Sequence, residues 1–143
     1  MAAFVEAARF LEIPARGKVL ASPLQFLDHV ARGLPASSVS RIANAIAPTD
    51  SEFRYRIVPK ATLARKQAER RLSKSQSEIV ARLVEVWISA VRVWINAEEA
   101  RDFLTRAHPL LKNEPPISVA LSSEMGAQLV REILGRLEHG TAV

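Results

Sequence analysis

The sequence has no cysteine, which in one step excludes a disulfide framework, a thiolate zinc site, an iron-sulfur cluster and a cysteine nucleophile. A reducing cytoplasm suits such a chain. Its three histidines, His29, His108 and His139, lie far apart with no His-Glu-x-x-His or comparable ligand spacing, so no metal site is expected. The five glycines are too scattered to form a phosphate-cradling loop, and neither Gly-x-Ser-x-Gly nor Ser-x-x-Lys occurs. Nothing catalytic is expected and no cofactor is implied. Met1 to Leu11 carries no cation before Arg9, holds Glu6 in its apolar run and precedes no small-residue cleavage pattern, so no secretory signal is expected. The most apolar stretch, Ile79 to Ile95, contains Arg82, Glu85 and Arg92 and reads as a helix that stays out of membranes.

What remains is an ordinary globular mixture. Apolar residues make up 48% and charged residues 24% of 143, enough to bury the core of one domain or two small modules. The net charge of +5 favours a polyanionic partner, with nucleic acid the first suspect.

Punctuation along the chain marks helix ends rather than strand turns. Ser22-Pro23 offers an N-cap and a first-turn proline, and Gly33 closes the helix that follows. Pro35 opens a second, with Val39, Ile42, Ala43 and Ile46 at helical spacing until Pro48. Thr49, Asp50 and Ser51 introduce a short segment through Ile57, which Pro59 ends. From Lys60 a cationic helix follows, in which Ala61, Ala64, Ala68 and Leu72 share a face expected to pack, while Thr62, Lys66 and Arg70 point outward. Ser73 caps a long helix with two apolar seams. Asn96 caps the next, with Glu98, Glu99 and Asp102 in its opening turns; His108-Pro109 stops it. After Pro115-Pro116 comes a short helix, and from about Glu124 a last one, whose Leu129, Val130, Ile133, Leu134 and Leu137 are expected to face a core before Gly140. The fold class is all-α, with an N-terminal extension over 1–21, a basic module over 22–72 and a second helical module over 73–143.

Charge is concentrated in one region. Arg54, Arg56, Lys60, Arg65, Lys66, Arg70, Arg71 and Lys74 face a single acid there, Glu69. Of the 20 basic and 15 acidic residues in the chain, 12 and 14 lie elsewhere. Two short helices, a proline turn and this cationic helix make a helix-turn-helix, whose second helix enters the major groove while neighbouring cations meet phosphates. In the long helix, Trp87, Val91 and Trp94 lie on one seam. Either both seams are buried in one monomer, or one of them belongs to a dimer or heteromer interface anchored by these residues.

Thr62-Leu63-Ala64-Arg65-Lys66 with Leu72-Ser73 and Ser77 is joined to Ala100-x-x-Phe103-Leu104, His108-Pro109-x-Leu111, Pro115-Pro116, Gly126-x-x-x-Val130 and Leu134-Gly135-Arg136-Leu137-Glu138-His139-Gly140. From about Gly33 onward this ordered set resembles the Xre/ParS/MbcA-type antitoxins of type II toxin-antitoxin systems. The resemblance implies an Xre-like helix-turn-helix that binds the operon's own operator DNA and autoregulates transcription, followed by an antitoxin/toxin-binding domain that neutralises a RES-domain toxin acting on NAD. It places Thr62, Arg65 and Lys66 on the recognition helix. It places Arg136, Glu138, His139, Gly140, Thr141, Ala142 and Val143 in the tail that blocks the toxin, where Glu138 or the terminal carboxylate of Val143 would pair with arginines of the NAD pocket. Lys60, Arg70 and Arg71, with Arg54 and Arg56, are expected phosphate contacts by charge alone. A homodimer or a toxin-antitoxin hetero-oligomer is expected, in the cytoplasm and away from membranes. Glu114 replaces the family's usual glycine before the proline turn, and 47–58 departs from its alanine- and leucine-rich first motif helix. The alternatives are a stand-alone transcriptional regulator and a helical adaptor.

Overall fold

A computed structural model describes residues 3–13 and 22–140. Among them every regular element is helical: α1 (Ala3–Phe10), α2 (Pro23–Arg32), α3 (Ser37–Ile46), α4 (Arg54–Ile57), α5 (Lys60–Glu69), α6 (Lys74–Trp94), α7 (Ala97–Thr105), a 3-10 turn (Pro109–Leu111), α8 (Pro116–Ser122) and α9 (Glu124–Glu138). Residues 1–85 and 86–143 form two compact units, a division that falls inside α6. The local reason is the first turns of α6. Ser73 Oγ accepts from Gln76 N (3.1 Å) and Ser73 N donates to Gln76 Oε1 (2.9 Å), a reciprocal capping box. One turn on, the buried Ser77 Oγ accepts from Leu34 N at 2.8 Å, which ties the start of α6 to the α2–α3 connection.

That connection is the hub of the first unit. Ser22 is extended before Pro23 but makes no side-chain cap bond. At the other end Gly33 adopts φ 106° and donates to the carbonyls of His29 and Val30. Only glycine fits there, because a Cβ would sit 2.3 Å from the carbonyl oxygen of Leu72. The segment after α5 crosses at this point: Leu72 N donates to Leu34 O (2.9 Å) and Ala36 N to Arg70 O (3.3 Å). Val39, Ile42, Ala43 and Ile46 of α3 are all fully enclosed, as their spacing predicts, with Phe53, Ile57, Val58 and Leu63 completing the core.

α5 is rotated from the expected orientation. Ala61, Ala64 and Ala68 are exposed, whereas Leu63 is 2% exposed and Thr62 and Lys66 are half-buried. Burial free energy scales with apolar area, so one leucine outweighs a stripe of methyl groups and sets the facing of the helix.

In the second unit Asn96 Oδ1 accepts from Glu99 N (2.9 Å), and Ser123 Oγ caps α9 through Gly126 N (2.9 Å). Gly126 allows close contact between α8 and α9, since a Cβ there would meet Val119 O at 2.2 Å. Ala127, Val130, Ile133 and Leu134 are buried on one side of α9. Leu129 is not, being 43% exposed, and Leu137 is only half-buried; the helix buries one narrow stripe, and Leu129 lies past its edge. Directly after α6 comes Ile95, a β-branched residue at φ 74° that is 85% exposed. Along α6, Val80, Leu83, Val84, Val86, Trp87 and Ala90 are all buried, so residues of both apolar seams are covered within the chain up to Ala90.

Candidate nucleic-acid interface and partner-binding surface

The cations of the first unit divide into those held by the chain and those presented outward. Arg54 on α4 is half-buried, and its guanidinium donates to Ser40 Oγ and Asn44 Oδ1 of α3, both at 3.0 Å. It braces α4 against α3. Lys66 retains only 18% side-chain exposure and lies 3.4 Å from Glu69. Arg71 is exposed, with one guanidinium nitrogen donating to the carbonyl of Arg32 (3.2 Å) beside the hub. Outward lie Arg56, stacked 5.3 Å over the Phe53 ring, and Lys60, 5.6 Å from the Tyr55 ring centre. Arg65 is exposed, with a loose 3.7 Å contact to Glu69. Arg70 ends α5 in the left-handed conformation, φ 66°. Surface pairs such as Arg65–Glu69 contribute little, so Arg65 can exchange its acid for a phosphate at small cost.

α4, the turn at Val58-Pro59 and α5 form the helix-turn-helix that the sequence predicts. The outward face of α5 is not the expected one. Ala61, Ala64 and Ala68 form a low, smooth centre flanked by Lys60 and Arg65, while Thr62 and Lys66 turn toward the body of the unit. A face of this kind allows the helix axis to come close to a groove floor and offers methyl groups to thymine methyls. Leu63, the only leucine within α5, was the signal in the sequence for this rotation.

In the second unit, Trp87 is 7% exposed with the Arg101 guanidinium 5.6 Å from its ring centre, and is thus enclosed rather than offered to a partner. Val91 and Trp94 are half-buried. Trp94 lies 5.8 Å from Phe103, which meets His108 edge-on at 5.8 Å. These three rings, with Glu99, Asp102 and Arg106, line a groove of about 290 Å³ that spacing along the chain does not show, because its residues come from α6, α7 and the turn beyond. Arg136, Glu138 and His139 are exposed at the end of α9, and Gly140 follows at φ 71°. Thr141, Ala142 and Val143, also expected in the tail, lie outside the described residues, as do residues 1–2 and 14–21 of the N-terminal extension.

Among the described residues no group of histidine, aspartate and glutamate side chains is placed to hold a metal ion, and no helix is long and apolar enough to cross a membrane.

Two family models match the chain in succession. Residues 25–85 match an antitoxin Xre-like helix-turn-helix domain, and residues 89–140 match the antitoxin Xre/MbcA/ParS C-terminal toxin-binding domain. The gap between the two matches falls within α6, where the units also divide. Among curated proteins no similar sequence was found.

Proposed function

The chain belongs to the Xre/MbcA/ParS-type antitoxins, with the family's helix-turn-helix and toxin-binding domains joined in one polypeptide, and on that footing we propose that it neutralises a RES-domain toxin that consumes NAD and represses its own operon. The order of the two matched domains on a single chain carries this reading. The chain itself performs no reaction; it works in the cytoplasm by occupying the surfaces of other molecules, as a homodimer or within a toxin-antitoxin hetero-oligomer.

On the DNA side, Arg56, Lys60, Arg65, Arg70 and Arg71 neutralise phosphates, α5 enters the major groove, and Arg54 and Lys66 position those elements from within. On the toxin side, the end of α9 from Arg136 through His139 and residues 140–143 cover the NAD site. The Glu138 carboxylate is the group suited to arginines that would otherwise hold the phosphates of NAD, because paired guanidinium-carboxylate contacts match phosphate contacts in geometry.

Co-expression with the product of the adjacent open reading frame, sizing of the complex and an NAD turnover assay test the neutralisation. The expected result is a stable complex with NAD consumption suppressed, and renewed consumption when 141–143 are deleted even though the complex persists. Five or six neutralised phosphates give a slope of log K against log salt of roughly -5 on a fragment of its own promoter, from about -0.9 per phosphate. A flat salt response refutes the DNA reading. Promoter binding with no effect on the toxin leaves a transcriptional regulator.

A further inference from the structure

Gly135 lies inside α9, with helical hydrogen bonding continuing past it as His139 N donates to its carbonyl at 3.1 Å. Glycine is a poor choice there, second only to proline among weak helix formers. Two structural reasons can justify a helical glycine, a left-handed backbone or the close approach of another part of the chain. Gly126, in the same helix, shows the second. Gly135 shows neither: it has no positive φ, and among the described residues a Cβ built on it would meet nothing within 4 Å. Among the described residues, nothing in the fold makes use of this glycine.

Its position on α9 gives it one. Gln128, Glu132, Gly135 and His139 follow one another at i, i+4, i+7 and i+11 and so form a single row, with Met125, Leu129 and Arg136 in the row beside it. The buried residues of α9 lie on the opposite side. Met125 is 79% exposed and Leu129 43%, so the outward face offers two large apolar side chains on the turns that precede the single gap at Gly135. Glu132 and Arg136 leave that face without a net sign, which suits a protein surface rather than a polyanion.

We propose that the toxin's main chain lies directly against α9 at Gly135, with Met125 and Leu129 as apolar contacts alongside. The inference rests on the toxin-binding reading above. The toxin is the occupant because the region matched to a toxin-binding domain contains all of α9, and because the same face runs on into Arg136 and His139, the start of the proposed inhibitory end. A glycine there removes the side chain that would hold the toxin backbone away, at a cost to the helix.

The full-length chain with Gly135→Ala and Gly135→Leu tests this against the purified co-expressed toxin, by calorimetric titration alongside thermal melts of the antitoxin alone. Gly135→Ala should raise the melting temperature of the free antitoxin while weakening toxin binding at least tenfold, and Gly135→Leu should weaken it further with no loss of folding. Met125→Ala should weaken binding without changing the melt. Toxin binding unchanged in both glycine variants overturns the inference. A lowered melting temperature for Gly135→Ala also overturns it, because the glycine would then serve the antitoxin's own fold. Dissociation of an antitoxin homodimer with toxin affinity retained assigns the face to a second copy instead. Failure of the wild-type chain to bind the toxin overturns the toxin-binding reading itself, an outcome distinct from wild-type binding that Gly135→Leu leaves intact.

Discussion

Replacing Ser77 with alanine isolates the contact that joins the start of α6 to the rest of the first unit. Ser77 is fully enclosed, and its Oγ is the acceptor for the Leu34 amide at 2.8 Å. The carbonyl of Leu34 keeps its own partner, Leu72 N, so the substitution strands one donor and nothing else. A buried amide without an acceptor costs about 1–3 kcal/mol, and the deleted hydroxyl leaves too little space to matter by comparison. For a chain near this size, each kcal/mol shifts the midpoint by roughly 2–4 °C, which puts the expected fall in melting temperature at about 2–12 °C. Ser75→Ala, on the exposed side of the same helix, is the matched control and should stay within about 0.5 kcal/mol of wild type. Hydrogen exchange supplies the direct readout, because the Leu34 amide should lose most of its protection in Ser77→Ala and keep it in Ser75→Ala. If Ser77→Ala melted within a degree of wild type with Leu34 still protected, the hub would owe nothing to this bond and the reasoning would fail.

Gly33→Ala should be more damaging than Ser77→Ala, by about 3 kcal/mol or more, since φ 106° strains any side chain and the new Cβ would overlap Leu72 O; a denaturant titration checks it, and a mild effect would be inconsistent with the crossing at the hub. Ile95→Gly should stabilise the chain by about 1 kcal/mol, because the side chain buries little and its left-handed backbone costs an L-residue roughly 1–2 kcal/mol; a lower melting point would show that Ile95 contributes contacts to the fold. Lys60→Ala and Arg65→Ala should each reduce the salt slope of promoter binding by about 1, whereas Arg54→Ala should lower the melting temperature more than the slope, since its guanidinium is engaged by Ser40 and Asn44.

Local signals in the sequence were reliable guides to the helices. The Val39, Ile42, Ala43, Ile46 spacing identifies the buried face of α3, and Asn96 and Ser73 cap the helices they precede, because a cap is decided within four residues. Facing was harder to read wherever it depended on residues far along the chain. In α5 the regular alanine stripe was a clearer pattern than one leucine, yet area rather than regularity decides which side is buried, and so Thr62 and Lys66 turned inward. In α9 the apolar positions outnumber the places the core provides, which leaves Leu129 outside. Two tryptophans at seam positions leave both burial and docking open; in the fold Trp87 is enclosed with the Arg101 guanidinium over its ring, while Trp94 is half-buried. Arg54 belonged to a run of cations in the sequence, and its partners on α3 could not be read from spacing. The bond from Leu34 to Ser77 spans 43 positions and leaves no periodic trace.

Because α5 is seated by Leu63 alone among its fully buried residues, while the strand-like crossing of 70–72 with 34–36 secures its far end, most positions along that helix are released from any duty to the interior. Such an element can be rewritten residue by residue with little penalty to folding. The surface that α5 presents can therefore change while the scaffold beneath it stays the same.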